Sequence, residues 1–147
     1  MSVAPTLVFA VGNPSRGDDA VGPLLAERLE AAAVPGVEVL VDFQLQVEHA
    51  LDLAGRERVI FVDACVDAEA LFVEREVYAD AGFAHTSHFL APAQVLETYR
   101  RVTGSEPPPA LLFGVRAHSF ELGAGLSRDT ERASQAAWPR LLELCRG

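Results

Sequence analysis

The 147-residue sequence contains no lysine; all twelve of its basic residues are arginine. That absence excludes a Walker A lysine, a Schiff-base lysine and a Ser-Lys dyad. Bases are also outnumbered. Twenty-one acidic residues against twelve basic ones give a formal net charge of −9. A chain of that sign is poorly suited to nucleic acid, whose affinity comes largely from cations meeting phosphates, or to an anionic membrane surface. Cysteine is scarce: Cys65 and Cys145 are far apart and neither has a CxxC partner, so no disulfide framework is expected. No apolar run approaches the roughly 18 residues of a membrane-spanning helix. Met1 to Pro5 carries neither a basic n-region nor a long apolar stretch, so no signal peptide is expected and the cytoplasm is the expected location.

What is present fits one compact domain over residues 1–147, half hydrophobic and 22% charged. Gly104-Ser105-Glu106-Pro107-Pro108-Pro109 reads as a stiff surface loop inside that domain. Five segments read as strands: Thr6 to Val11, Val37 to Val41, Val59 to Val62, Phe72 to Tyr78 and Leu111 to Val115. The first and third are almost wholly apolar, as in strands covered on both faces, whereas Phe72 to Tyr78 mixes charge onto both faces and reads as an edge. Helical spacing links Val21, Leu24, Leu25, Leu29 and Ala32. It links Val47, Ala50, Leu51 and Ala54 before Gly55, and Val95, Leu96, Tyr99 and Val102 after Pro92. It recurs at Trp138, Leu141, Leu142 and Cys145, with Ser127 a candidate N-cap and Pro139 expected to kink or break that last helix. The alternation predicts an α/β domain: a mostly parallel five-stranded sheet with helices on both faces, and ligands gathering beyond the carboxyl ends of the strands.

Three polar clusters fall at that edge. Gly12-Asn13-Pro14-Ser15-Arg16-Gly17-Asp18-Asp19-Ala20-Val21-Gly22 follows the first strand. Its spacing is not GxGxxG, and paired acids at a helix start repel phosphate. One acid suffices as a cap, so Asp18 and Asp19 are expected to divide, one capping and one facing the cleft. Asp63 ends the third strand and Asp42 the second, so the two acids are expected to converge, with one protonated or a cation between them. His85-Thr86-Ser87-His88 follows the fourth strand and is expected at the same edge. Two carboxylates and an imidazole with open positions suit a first-row divalent metal. A closed zinc site would need four cysteines, or two cysteines paired with two histidines, at ligand spacing, and the sequence has neither pattern. Cys65 is a rival nucleophile, read more simply as small and buried, and His49 and His118 as surface or packing residues.

These motifs resemble the hydrogenase maturation endopeptidases. The resemblance rests on Gly12-Asn13-x4-Asp18-Asp19-x2-Gly22, Val62-Asp63-Ala64, Ser87-His88, Gly114-Val115-Arg116, Ser119-Phe120-Glu121-Leu122 and Gly125-Leu126-Ser127, from about residue 6 to 144. Asp42 to Ala50 looks most like the subgroup serving soluble, bidirectional, NAD-linked hydrogenases. The resemblance implies a twisted five-stranded α/β fold. It also implies an endopeptidase that removes the C-terminal extension of a [NiFe]-hydrogenase large-subunit precursor after nickel insertion. It places the metal-contacting residues on Asp19, Asp63 and His88, with the nickel supplied by the substrate protein. Many members carry a glycine-rich Asp-Gly-Gly-Thr type segment after strand two; this chain has Gln44, Gln46 and Glu48 there, which makes Glu48 a further candidate cleft acid.

Both lines lead to one expected mechanism: nickel already in the precursor, touched by these residues, acts as Lewis acid or water activator beside the scissile bond. Either carboxylate could take the proton. The expected partner is the hydrogenase large-subunit precursor, with no nucleic acid and no membrane, and the chain alone is expected to be monomeric. The rival reading is a non-catalytic metal-binding chaperone that docks on a metalloenzyme precursor. A small-anion site at the Gly12–Gly22 turn is a third.

Overall fold

The computed structural model describes residues 3–80 and 90–147. Its centre is one five-stranded sheet in the order β2-β1-β3-β5-β4. The strands are β1 (Thr6–Val11), β2 (Val37–Asp42), β3 (Arg58–Cys65), β4 (Phe72–Val77) and β5 (Ala110–Arg116). β2, β1, β3 and β5 are mutually parallel and β4 pairs antiparallel with β5. The described residues also form three α-helices: α1 (Val21–Ala32), α2 (Pro92–Thr103) and α3 (Arg128–Arg146).

Period-two alternation divides the core between the two faces. Val8, Ala10, Ile60, Val62, Phe113 and Val115 pack against α1 and α3, through Leu25, Leu29, Ala137 and Leu141. Leu7, Phe9, Val59 and Phe61 pack on the opposite face against Leu45, Leu53, Val95 and Leu96. β1 and β3 are buried on both sides, which is why their sequences are nearly continuous apolar runs. The expected fold class and the edge position of the fourth strand are therefore observed.

Three local expectations need correction. The segment after β2 is a 3-10 helix, Val47–Leu53, not an α-helix. Seven residues closed by Gly55 at φ 80° leave little room for α-helical turns, and the His49 ring replaces a backbone partner by accepting from the Gln46 N–H at 2.8 Å. Pro139 does not break α3, which runs unbroken from Arg128 to Arg146. Pro139 and Gln135, whose carbonyl the proline leaves without its helical donor, are both on the exposed side, where water can satisfy that carbonyl. β3 continues two residues past Asp63, so that acid stands within the strand and not at its tip. Ser127 caps α3 as expected, its Oγ accepting from the Thr130 N–H at 3.3 Å.

Candidate functional site

The site lies where β1 and β2 stop and β3 continues. Register sets Val62 beside Ala10 and Asp42 beside Val11, so Asp42, Val11 and Asp63 form one row across three strands. By alternation all three point to the α2 side. The chain leaves β1 through Gly12 at φ 152°, where a Cβ would fall 2.0 Å from the Asp19 carbonyl oxygen. Only glycine permits this approach, which folds the Gly17–Ala20 3-10 turn back over the strand end. Gly22 acts similarly at the start of α1, where a Cβ would lie 2.6 Å from the Val11 carbonyl. The two glycines thus bring Asp19 to the row holding Asp63.

The paired acids divide sharply. Asp18 is completely buried. Its carboxylate accepts from the N–H groups of His118 (2.8 Å), Ser119 (3.0 Å) and Ser127 (2.6 Å) and from the Ser127 hydroxyl (2.9 Å). Burial alone would raise its pKa; the donors from Ser127, Ser119 and His118 outweigh that and hold it at about 2. Asp18 therefore does not cap its own helix but anchors the 117–127 loop and the start of α3. Asp19, half-buried, accepts from the Asn13 N–H through Oδ2 at 2.7 Å and lines the pocket.

That pocket has a volume of about 660 Å³. Asp19 and Asp63 share it with Asn13, Arg16 and Gln44, against an apolar wall of Val11, Phe43, Leu45, Leu90 and Pro92. Asp63 Oδ1 accepts from the Ala64 N–H at 2.7 Å. Burial pushes the Asp63 carboxyl up to about 7, only partly offset by that N–H, and the neighbouring Asp19 charge raises it further. Each acid has one oxygen engaged by a backbone donor and the other with no hydrogen bond to the described residues.

The remaining candidates are placed as follows. Asp42 does not converge on Asp63: Val11 stands between them, and two strand spacings amount to about 10 Å. Asp42 instead accepts from the Phe43 N–H at 2.7 Å and pairs with His49 Nε2 at 3.1 Å. His49 stacks edge-on against Phe9 with ring centroids 4.6 Å apart, a packing role as expected. Glu48 is exposed and does not line the pocket. His85 and His88 lie outside the described residues. The expectation that the fourth strand exits toward the site is corrected: β4 is antiparallel, so its end, Val77, stands beside Ala110 at the opposite edge. The chain has returned by Leu90, whose N–H donates to the Leu45 carbonyl at 3.1 Å and which lines the pocket. Among the described residues, no group of three or more His, Cys, Asp or Glu side chains could hold a metal ion.

Cys65 is buried, its thiol donating to Asp67 Oδ1 at 2.9 Å. Burial and the Asp67 hydrogen bond push its pKa up, which keeps it protonated and a poor nucleophile. If the chain has the endopeptidase activity that its motifs imply, Cys65→Ala is expected to cleave the precursor at the parent rate, measured by the size shift on a denaturing gel. An inactive but folded variant would make the cysteine the nucleophile.

Arg16 and Phe43 also line the pocket, although sequence reasoning does not single them out. The available signals are an arginine inside the first motif and a large apolar residue directly after a strand-ending acid.

No family model matches the chain, and no curated protein sequence does either. Comparison in three dimensions does find similar proteins. The hydrogenase maturating endopeptidase HybD from E. coli superposes with a TM-score of 0.74 at 28% identity, covering 99% of this chain and 93% of that one. The fold is that of the hydrogenase maturation proteases. The [NiFe] hydrogenase maturation protease HycI from Thermococcus kodakarensis gives a TM-score of 0.74 at 24% identity over 98% of this chain and 94% of that one. A hydrogenase 2 maturation peptidase from a Thaumarchaeota archaeon gives 0.68 at 24%, over 95% and 96%. In this maturation-protease fold the pocket with Asp19 and Asp63 is at the carboxyl edge of the parallel strands, where α/β sheets bind ligands.

Proposed function

We propose that this chain is an endopeptidase that removes the C-terminal extension of a [NiFe]-hydrogenase large-subunit precursor once nickel has been inserted. The observation that carries this reading is the end-to-end match to a hydrogenase maturating endopeptidase combined with two acids facing one pocket. Nickel belongs to the substrate here. Asp19 and Asp63 each offer one oxygen free of hydrogen bonds to the described residues. Two carboxylates are too few to make a resident site, and they suit an ion whose other ligands come from the precursor. His88 is assigned as the third contact; its near neighbour in sequence, Leu90, lines the same pocket.

In this reading the nickel polarises the scissile carbonyl or its attacking water. Asp63, with its raised pKa, suits the group that accepts and returns a proton near neutral pH. Arg16 and Asn13 border the same space and can hydrogen-bond the peptide. Phe43, Gln44 and Leu45 supply one pocket wall, and by the sequence from Asp42 to Ala50 we assign the chain to the soluble, bidirectional hydrogenase subgroup. We further assign it to the cytoplasm as a monomer; among the described residues no helix is long and apolar enough to cross a membrane.

The test is incubation of the purified chain with nickel-loaded large-subunit precursor. Cleavage at one bond near the precursor's C-terminus is expected. Stable binding without cleavage would instead identify a metal-binding chaperone.

A further inference from the structure

The sheet has two edges, and they are built differently. β4, at one edge, carries Glu74, Arg75 and Glu76. Glu74 pairs with Arg140 at 2.6 Å, and Arg75 reaches Asp67 at 3.6 Å and Glu69 at 3.7 Å. Such charge is a common guard against strand addition. β2, at the other edge, reads Val37-Glu38-Val39-Leu40-Val41-Asp42. In its parallel pairing with β1, the Thr6 N–H donates to the Gly36 carbonyl and the Gly12 N–H to the Asp42 carbonyl. The even-numbered residues of β2 therefore bond inward to β1, and the backbone groups of Val39 and Val41 point outward. No hydrogen bond among the described residues engages those outward groups.

This open edge leads into the pocket. Val41 is 46% and Phe43 63% exposed, and Phe43 is itself a pocket wall. We infer that the free edge of β2 receives an extended segment of the precursor next to the scissile bond as a sixth strand, which delivers that bond to Asp19 and Asp63. This rests on the endopeptidase reading. Main-chain hydrogen bonds to Val39 and Val41 hold the segment, and Val41 and Phe43 offer it apolar contact. The charge of the edge selects the occupant. Glu38 pairs with Arg56 at 2.6 Å, but Asp42 at the pocket end of the edge belongs to a chain of net charge −9, so a second copy would set like charges against one another. An apolar or basic extended segment meets no such penalty.

The test uses amide hydrogen exchange and one pair of variants. The Asp19→Asn protein, expected to fold and not to cleave, is mixed with nickel-loaded precursor. The Val39 and Val41 amides, fast in the free protein, are expected to slow in the complex. Val41→Pro removes one outward donor and no inward ladder bond. It is expected to lower kcat/KM for precursor cleavage about tenfold, the scale of one to two net hydrogen bonds, and by clearly more than Val41→Thr, which keeps that donor. Unchanged exchange at both amides, or Val41→Pro cleaving at the parent rate, overturns the edge assignment and leaves the endopeptidase reading standing. Protection of the same amides without precursor, in a dimer seen by sedimentation, overturns it in favour of self-pairing. A parent protein that never cleaves the precursor removes the underlying reading as well.

Discussion

Asp63→Asn is expected to abolish precursor cleavage and, at pH 8, to raise the melting temperature. The two effects share a cause. Asp63 is held where its charged form is disfavoured, with a folded pKa of about 7 against an ordinary 3.8. A carboxyl with a raised folded pKa contributes stability that is full below about pH 4 and is lost as pH rises to about 7. Three pKa units correspond to roughly 4 kcal/mol as an upper bound. Asparagine removes that cost and can still accept from the Ala64 N–H. A stabilisation of several degrees at pH 8 that vanishes by pH 4 is therefore predicted, checked by thermal melts across that range. Cleavage should fall by at least about a thousandfold, since an amide oxygen is a weak substitute for a metal-binding carboxylate and cannot accept the proton. A destabilised Asp63→Asn protein would show the acid to be structural.

Asp18 behaves in the opposite sense, although it adjoins Asp19. Asp18→Asn is expected to destabilise the protein by about 2–4 kcal/mol, because amide hydrogens would face backbone donors in a fully buried site. Its folded pKa of about 2 lies below the ordinary 3.8, so its contribution is present above about pH 4 and lost as pH falls toward 2. That window is worth roughly 2 kcal/mol. The parent should thus lose stability steeply between pH 4 and pH 2, and the variant much less so, in urea titrations at each pH. Equal acid sensitivity in both proteins would contradict this role.

The contrast between these two acids marks where sequence patterns carry information and where they do not. Val59-Ile60-Phe61-Val62 announces a strand buried on both faces, and β3 is one. Gly12 and Gly22 sit at close backbone approaches that the motif alone does not locate. A Cβ at these positions would sit 2.0 and 2.6 Å from a carbonyl oxygen, which is why no side chain fits there. That Asp18 and Asp19 part company follows from neighbours pointing apart. What Asp18 faces does not follow, because its partners, His118, Ser119 and Ser127, are about a hundred residues away. The direction of β4 is equally hidden. A mixed apolar and charged strand identifies an edge but not its sense, and the antiparallel pairing sends its end away from the site. Asp42 fails to meet Asp63 for a topological reason. β2 and β3 are not neighbours, since β1 lies between them.

Asp19 and Asp63, on this account, act on a substrate only when it brings nickel to their pocket. The most direct measurement follows cleavage of one precursor preparation divided in two, one half loaded with nickel and the other stripped of metal, by the same purified enzyme. Cleavage of the loaded half alone is the predicted result; equal cleavage of both halves would contradict it.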